Sequence, residues 1–163
     1  GQTDPEDADA ATDYDLPAEI VMGSGRPVLI LPYVGTYAPD ISHALIAWNG
    51  TKEAARAMAD AMPLLENAAK VTLLVINPDS LRGPTVARAE DASALLARHG
   101  VTADDSVARD ISAGELLLSR ASDLGADLLV MGAYGRPRLR ELILGGATHD
   151  ILRHMTLPIF MSH

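Results

Sequence analysis

The sequence predicts an α/β fold: an open parallel sheet with helices on both faces. Three observations carry this. Short apolar runs alternate with stretches of helical periodicity from residue 43 to the end, the order that yields parallel strands joined by crossover helices. The run Ala-Asp-Leu-Leu-Val at 126–130 reads as a buried strand. Apolar residues make up 48% of 163 residues but aromatic ones only 4%, so the length suits one domain whose core is built from Leu, Val, Ile, Ala and Met.

Taken in order, residues 1–15 read as irregular. Asp15 caps a helix with Pro17 in its first turn, and the helix ends by Met22 before Gly23 and Gly25. Residues 26–33, bounded by Pro27 and Pro32, form a strand at an edge. Residues 34–42 are a linker. A strand at 43–48 leads to Asn49-Gly50-Thr51, a turn that caps a helix whose inward face is Ala54, Ala55, Met58, Ala61, Met62 and Leu65. Then follow a strand at 71–76, a helix at 84–98, a polar strand at 105–110, a helix at 113–124, a strand at 126–131, a helix at 146–154 and a last strand at 157–161.

Composition excludes several classes. The net charge of −9 argues against nucleic acid as a partner. Asp4, Glu6, Asp7, Asp9, Asp13 and Asp15 put −6 of it into the first fifteen residues, a solvated tail. No apolar run approaches a membrane span, and no secretory leader is recognisable. With no cysteine there is no disulfide or thiolate site, and the expected location is the cytoplasm. His149 and His154 stand five apart, off a shared helical face, and no metal site is expected. Neither the P-loop pattern nor the Gly-x-Gly-x-x-Gly fingerprint occurs, and no Ser, His and Asp set suggests a catalytic triad.

The stretch that carries chemistry is 131–148. A strand runs into Met131-Gly132, a long loop holds Gly135 and ends at Gly145-Gly146, and a helix starts there. Arg136, Arg138 and Arg140 lie between. A strand, a glycine loop and a helix N-terminus expose backbone N–H groups to an anion, so the loop is expected to hold the phosphates of a nucleotide, with Arg136 beside Gly135 as the best side-chain contact. In open parallel sheets ligands sit beyond the carboxyl ends of the strands, where strand order reverses. If the strands ending at Trp48 and Met131 are neighbours, Asn49 and the glycine loop line one crevice. The plainer alternative is that the glycines serve tight turns and close packing, the arginines are ordinary surface residues, Asn49 is a turn and cap residue, and Trp48 is core.

The two ends of the chain also match. Residues 18–31 align with 149–162 at an offset of 131; both read as helix, X-Pro, apolar strand. This predicts residues 1–33 to be the last helix and strand of a preceding, degenerate unit, 34–42 a linker, and 43–163 a complete unit. The strands at 28–31 and 159–162 are expected to pair antiparallel about a pseudo-twofold axis, and the surface left by the incomplete unit to favour homo-oligomers. Asp4, Tyr14 and Asp15 stand where Gly135, Gly145 and Gly146 stand in the second copy, so only the second copy is expected to bind a phosphate.

The strand ending Val130-Met131-Gly132, the spacing Gly-x2-Gly-x9-Gly, and the helix followed by Leu-Pro-Ile-Phe-Met resemble the universal stress protein family over 42–163. The resemblance implies a five-stranded parallel sheet of order 3-2-1-4-5, here with an extra N-terminal helix and strand, in the second unit of a tandem member. It implies an adenine nucleotide, ATP or AMP, with magnesium as a possible companion of the phosphates, and a regulatory role in stress response with at most weak ATPase activity. Carried over, the binding residues are Asn49, Ile76, Met131, Gly132, Gly135, Gly145, Gly146, Ala147 and Thr148. Two positions depart from the pattern: Asn49 replaces an aspartate, and Gly146 stands where binders place a hydroxyl. The alternative is a module that binds no nucleotide and acts by dimerisation and protein interaction.

Overall fold

The structure, a computed structural model, describes residues 16–76, 88–108, 113–133 and 146–163. Its elements run α1 (Leu16–Gly23), β1 (Val28–Ile30), β2 (His43–Trp48), α2 (Lys52–Asp60), α3 (Met62–Leu65), β3 (Lys70–Ile76), α4 (Ala89–Arg98), β4 (Ala103–Ala108), α5 (Ala113–Leu124), β5 (Leu128–Gly132), α6 (Gly146–His154) and β6 (Ile159–Ser162).

One six-stranded sheet has the order β1-β6-β5-β2-β3-β4. The strands from β2 onward are all parallel, and counted from β2 they stand 3-2-1-4-5 as expected. The sixth strand is β1, which pairs antiparallel with β6 through Val28↔Met161, Leu29↔Phe160 and Ile30↔Ile159. The pairing expected of the two chain ends is therefore made within one chain.

The central strand β2 is buried at all six positions because helices cover both faces. Alternate side chains define two cores. Leu45, Ala47, Leu74, Leu129, Met131, Ile159 and Met161 meet α5, α6 and α1 on one face. Ile46, Trp48, Leu73, Val75, Val130 and Phe160 meet α2, α3 and α4 on the other. A fully buried Leu or Ile in such a core is worth about 1.5–3 kcal/mol.

Several boundaries move for identifiable reasons. The helix expected to run through Leu65 breaks at Ala61, and Pro63 stands in the first turn of α3, because proline cannot donate to the preceding turn. β1 is three residues instead of eight, limited by Pro27 and Pro32, which cannot donate to a ladder. β4 begins two residues early, at Ala103. The segment 84–87 expected in the fourth helix lies outside the described residues.

Candidate functional site

β2 has β3 on one side and β5 on the other. Strand order therefore reverses between β2 and β5, and the crevice of the fold opens at their carboxyl ends. Ala47 stands opposite Met131 there, so Asn49 and Gly132 follow on the two sides of the opening. Each helix that links two parallel strands runs back against them, so α2 and α6 start at this edge. α2 lies on one face and α6 on the other. Both positive helix ends flank the crevice, a polarity that favours an anion.

Asn49 is exposed and closes the turn into α2. Its Oδ1 accepts from the Thr51 hydroxyl at 2.8 Å and from Thr51 N at 3.3 Å. Gly50 between them has φ of 70°, a left-handed conformation that glycine adopts without a Cβ clash. Thr51 Oγ1 then accepts from Ala54 N at 3.3 Å as the helix cap. The turn-and-cap role expected for this residue is present. The Asn49 amide nitrogen makes no hydrogen bond among the described residues and remains a donor at the mouth of the crevice.

Gly132 has a packing reason to be glycine. A Cβ there would stand 2.5 Å from Ala54 N, 2.5 Å from Glu53 C and 2.8 Å from Glu53 Cβ. The first turn of α2 rests directly on the end of β5, and only the missing side chain permits the approach. The strand's exit is tied down from its other neighbour. Ala133 N donates to Ser162 O at 2.9 Å, and His163 Nδ1 donates to Ala133 O at 3.0 Å. Ser162 Oγ donates to Asp60 Oδ2 at 2.7 Å, linking β6 to α2. The root of the glycine loop is thus held by α2 and by β6.

Ile76 and Met131 lie buried on the α5 and α6 face. Thr148, 5% exposed, is buried in the first turn of α6. Gly146 opens that helix and Ala147 follows it. Gly135, Arg136 and Gly145 lie outside the described residues. The described part therefore brings Asn49 and Gly132 to one opening and places the start of α6 at the same edge.

Two features at this edge have no place in the motif. Glu53 is a buried carboxylate, 5% exposed, in the first turn of α2. Its described ion partner is the exposed Lys52, at 3.5 Å. It lies four residues before the fully buried Ala57, the spacing that could have marked it as inward-facing. Its negative charge offsets the positive end of α2, whereas the first turn of α6 carries no acid. Trp48 is core, 1% exposed, and among the described residues its Nε1 has no hydrogen-bond partner.

The opposite edge of the sheet is structural. Asp127 accepts from Ser42 N at 2.8 Å and His43 N at 3.0 Å, fastening β2 to the start of β5. His43 Nδ1 donates to Leu124 O at 3.0 Å, which leaves Nε2 to accept from Thr72 Oγ1 at 2.8 Å. Among the described residues no group of three His, Asp or Glu side chains is placed to hold a metal ion, and no helix is long and apolar enough to cross a membrane.

Comparison with known proteins follows the same lines. The sequence profile of the universal stress protein family matches residues 41–163. A universal stress protein of Synechocystis is 38% identical over 47 residues, which is 29% of this chain and 16% of that protein. The aligned stretch spans less than a third of the curated relatives it matches. Among solved structures, a universal stress protein in complex with cAMP superposes with a TM-score of 0.61 at 19% identity, over 76% of this chain and 98% of that one. An Arabidopsis thaliana family member with AMP bound superposes with a TM-score of 0.52 at 13% identity, over 72% and 88%.

Proposed function

We propose that this chain, which belongs to the universal stress protein family, binds an adenine nucleotide, ATP or AMP, in the crevice between β2 and β5, and serves a regulatory rather than a strongly catalytic role in stress response. The observation that carries the reading is the N-terminus of α6. It is free of acid in its first turn and opens at the carboxyl edge of the sheet, beside the point where strand order reverses. Phosphates belong at that end rather than at α2, where Glu53 opposes them. The base then lies toward β3, with Ile76 and Met131 as apolar walls and the Asn49 amide as a donor. Gly132, Gly135, Gly145, Gly146 and Ala147 supply backbone approach, and Arg136 and Thr148 supply polar contacts. The folds that bind cAMP and AMP in relatives support the class of ligand.

Titration calorimetry with ATP, AMP and cAMP tests this, with and without magnesium. The expected result is saturable heat that Arg136→Ala and Thr148→Val weaken while the melting temperature without ligand stays put for Arg136→Ala. Absence of heat at millimolar nucleotide sinks the proposal.

A second reading has its own support. Asn49 Oδ1 is occupied in the turn, and Gly132 is required by the packing of α2, so both are explained without a ligand. On that reading the chain is an interaction module of the same fold that binds no nucleotide, and it predicts the negative calorimetric result.

A further inference from the structure

Among the described residues Glu53 is the one buried carboxylate, with 6% of its side chain exposed. An ionised carboxylate accepts hydrogen bonds at about four lone-pair sites and donates none. The donor that stands near it is the Lys52 ammonium, 3.5 Å away on a side chain 91% exposed. An ion pair of that length, with one partner in solvent, offsets little of the cost of burying a charge. No other donor among the described residues meets it. The buried polar side chains of His43, Thr72 and Ser162 are, by contrast, each hydrogen-bonded within the fold. Glu53 is thus a fixed acceptor with unfilled capacity.

Its place follows from α2. The helix packs on the end of β5 so closely that Glu53 Cβ stands 2.8 Å from where a Cβ on Gly132 would be. Every Cα–Cβ bond of a helix tilts toward the helix N-terminus. α2 begins at the carboxyl edge of the sheet, so the Glu53 side chain leans toward the edge where the crevice opens. The helix cannot carry it elsewhere, because Ala54, Ala57 and Met58 are buried beneath it. In the proposed nucleotide site the base lies toward β3 beside Asn49, and the phosphates lie at the start of α6. The sugar joins the two across the carboxyl ends of β2 and β5, and the end of β5 is Gly132, beside Glu53.

We infer that Glu53 reads the sugar: its carboxylate accepts hydrogen bonds from the neighbouring 2′- and 3′-hydroxyls of a ribose and makes the crevice selective for ribonucleotides over their deoxy forms. The inference rests on the proposed nucleotide site and adds to it a residue outside the glycine motif. The chemistry is complementary. A carboxylate repels phosphate, but two adjacent hydroxyls offer it two donors, and hydrogen bonds to an ionised acceptor are the strong ones. A ligand that lacks one hydroxyl leaves the buried acceptor short of a donor, the asymmetry by which such sites discriminate. Lys52 yields its place without loss of packing, since its side chain already stands in solvent.

Calorimetry of the 163-residue chain with AMP, 2′-deoxy-AMP and 3′-deoxy-AMP tests it. The wild-type protein is expected to bind AMP about ten-fold or more tighter than either deoxy form. Glu53→Gln keeps the shape and one acceptor but loses the charge. It is expected to weaken AMP by about ten-fold and the deoxy forms far less, so that the preference falls to within about three-fold. Glu53→Asp, which withdraws the charge by one methylene, gives the same readout should Glu53→Gln fail to fold. Equal binding of the three ligands by the wild type overturns the inference. So does a full preference retained in the variants, or a parallel weakening of all three ligands, which assigns Glu53 to the fold alone. Each of these leaves the nucleotide site standing. Absence of heat from AMP as well as from its deoxy forms overturns the nucleotide site and this inference with it.

Discussion

Substituting Gly132 separates what the fold requires from what a ligand requires. Cβ contacts in real proteins are ordinary at 3.4 Å and beyond, and a methyl at 132 would meet Ala54 N and Glu53 C at 2.5 Å. The first turn of α2 or the end of β5 must therefore give by about 0.9 Å against backbone atoms, which no side-chain rotation relieves. Neither element is free to move. β5 is held by β2 and β6, and α2 is fixed by Ala54, Ala57 and Met58, each 3% exposed or less. Overpacking of this kind costs about 1–3 kcal/mol. Gly132→Ala is expected near the upper end because both clashing partners are main chain, and Gly132→Val beyond it. For a domain of this size each kcal/mol lowers the melting temperature by roughly 2–4 °C, so Gly132→Ala loses on the order of 5–10 °C. The assay is urea and thermal unfolding of nucleotide-free protein followed by circular dichroism. If Gly132→Ala unfolds at the wild-type midpoint, α2 does not rest on β5 as described, and the glycine belongs to the ligand alone.

Asn49→Ala removes the acceptor for Thr51 N and the Thr51 hydroxyl and is expected to cost about 1 kcal/mol in urea unfolding, whereas Asn49→Asp keeps the acceptor and the stability. Arg56 of α2 donates to Gly25 O at 3.1 Å and to His163 O at 2.9 Å, and Arg56→Met deletes both contacts, so trypsin or hydrogen exchange should report a looser β1 while β2 and β3 stay protected. His43→Phe leaves the Thr72 hydroxyl and Leu124 O unpaired in a buried site and should lower stability by about 2–3 kcal/mol, with Thr72→Val partly restoring it in the double variant. Trp48→Phe removes a buried N–H that has no described partner, a desolvation cost of about 1–3 kcal/mol, and opens a cavity of comparable cost, so the urea midpoint is expected to change little.

The parallel core was legible because its signals are local. Apolar runs, X-Pro bonds and the Asn49-Gly50-Thr51 turn each carry their own geometry, and an apolar strand at each chain end demands a partner. What was not legible depends on contacts between distant segments. Nothing near Gly132 announces that α2 will rest on it; that follows only once β2 and β5 are neighbours. Glu53 sits in a first helical turn, where acids are common and usually solvated, and its burial comes from the same contact. Pro63 stands inside the apolar spacing from Ala54 to Leu65, and the break at Ala61 shows that its missing donor overrides that spacing.

The glycine motif therefore divides into two parts with different physics. Gly132 answers to a steric demand from α2 that exists with or without a nucleotide. Under the proposed function, Gly146, at the first position of α6, would answer to a different demand, for a bare backbone beside a bound phosphate. A sequence can keep the first part for the sake of the fold while it loses the second, so a glycine at the end of the strand is weak evidence for a ligand. The discriminating groups are the Asn49 amide nitrogen, which makes no hydrogen bond among the described residues, and Arg136, the proposed side-chain contact. Variants there that abolish nucleotide binding at unchanged stability would tie the crevice to its ligand. Variants at Gly132 cannot, because they disturb α2 before any nucleotide arrives.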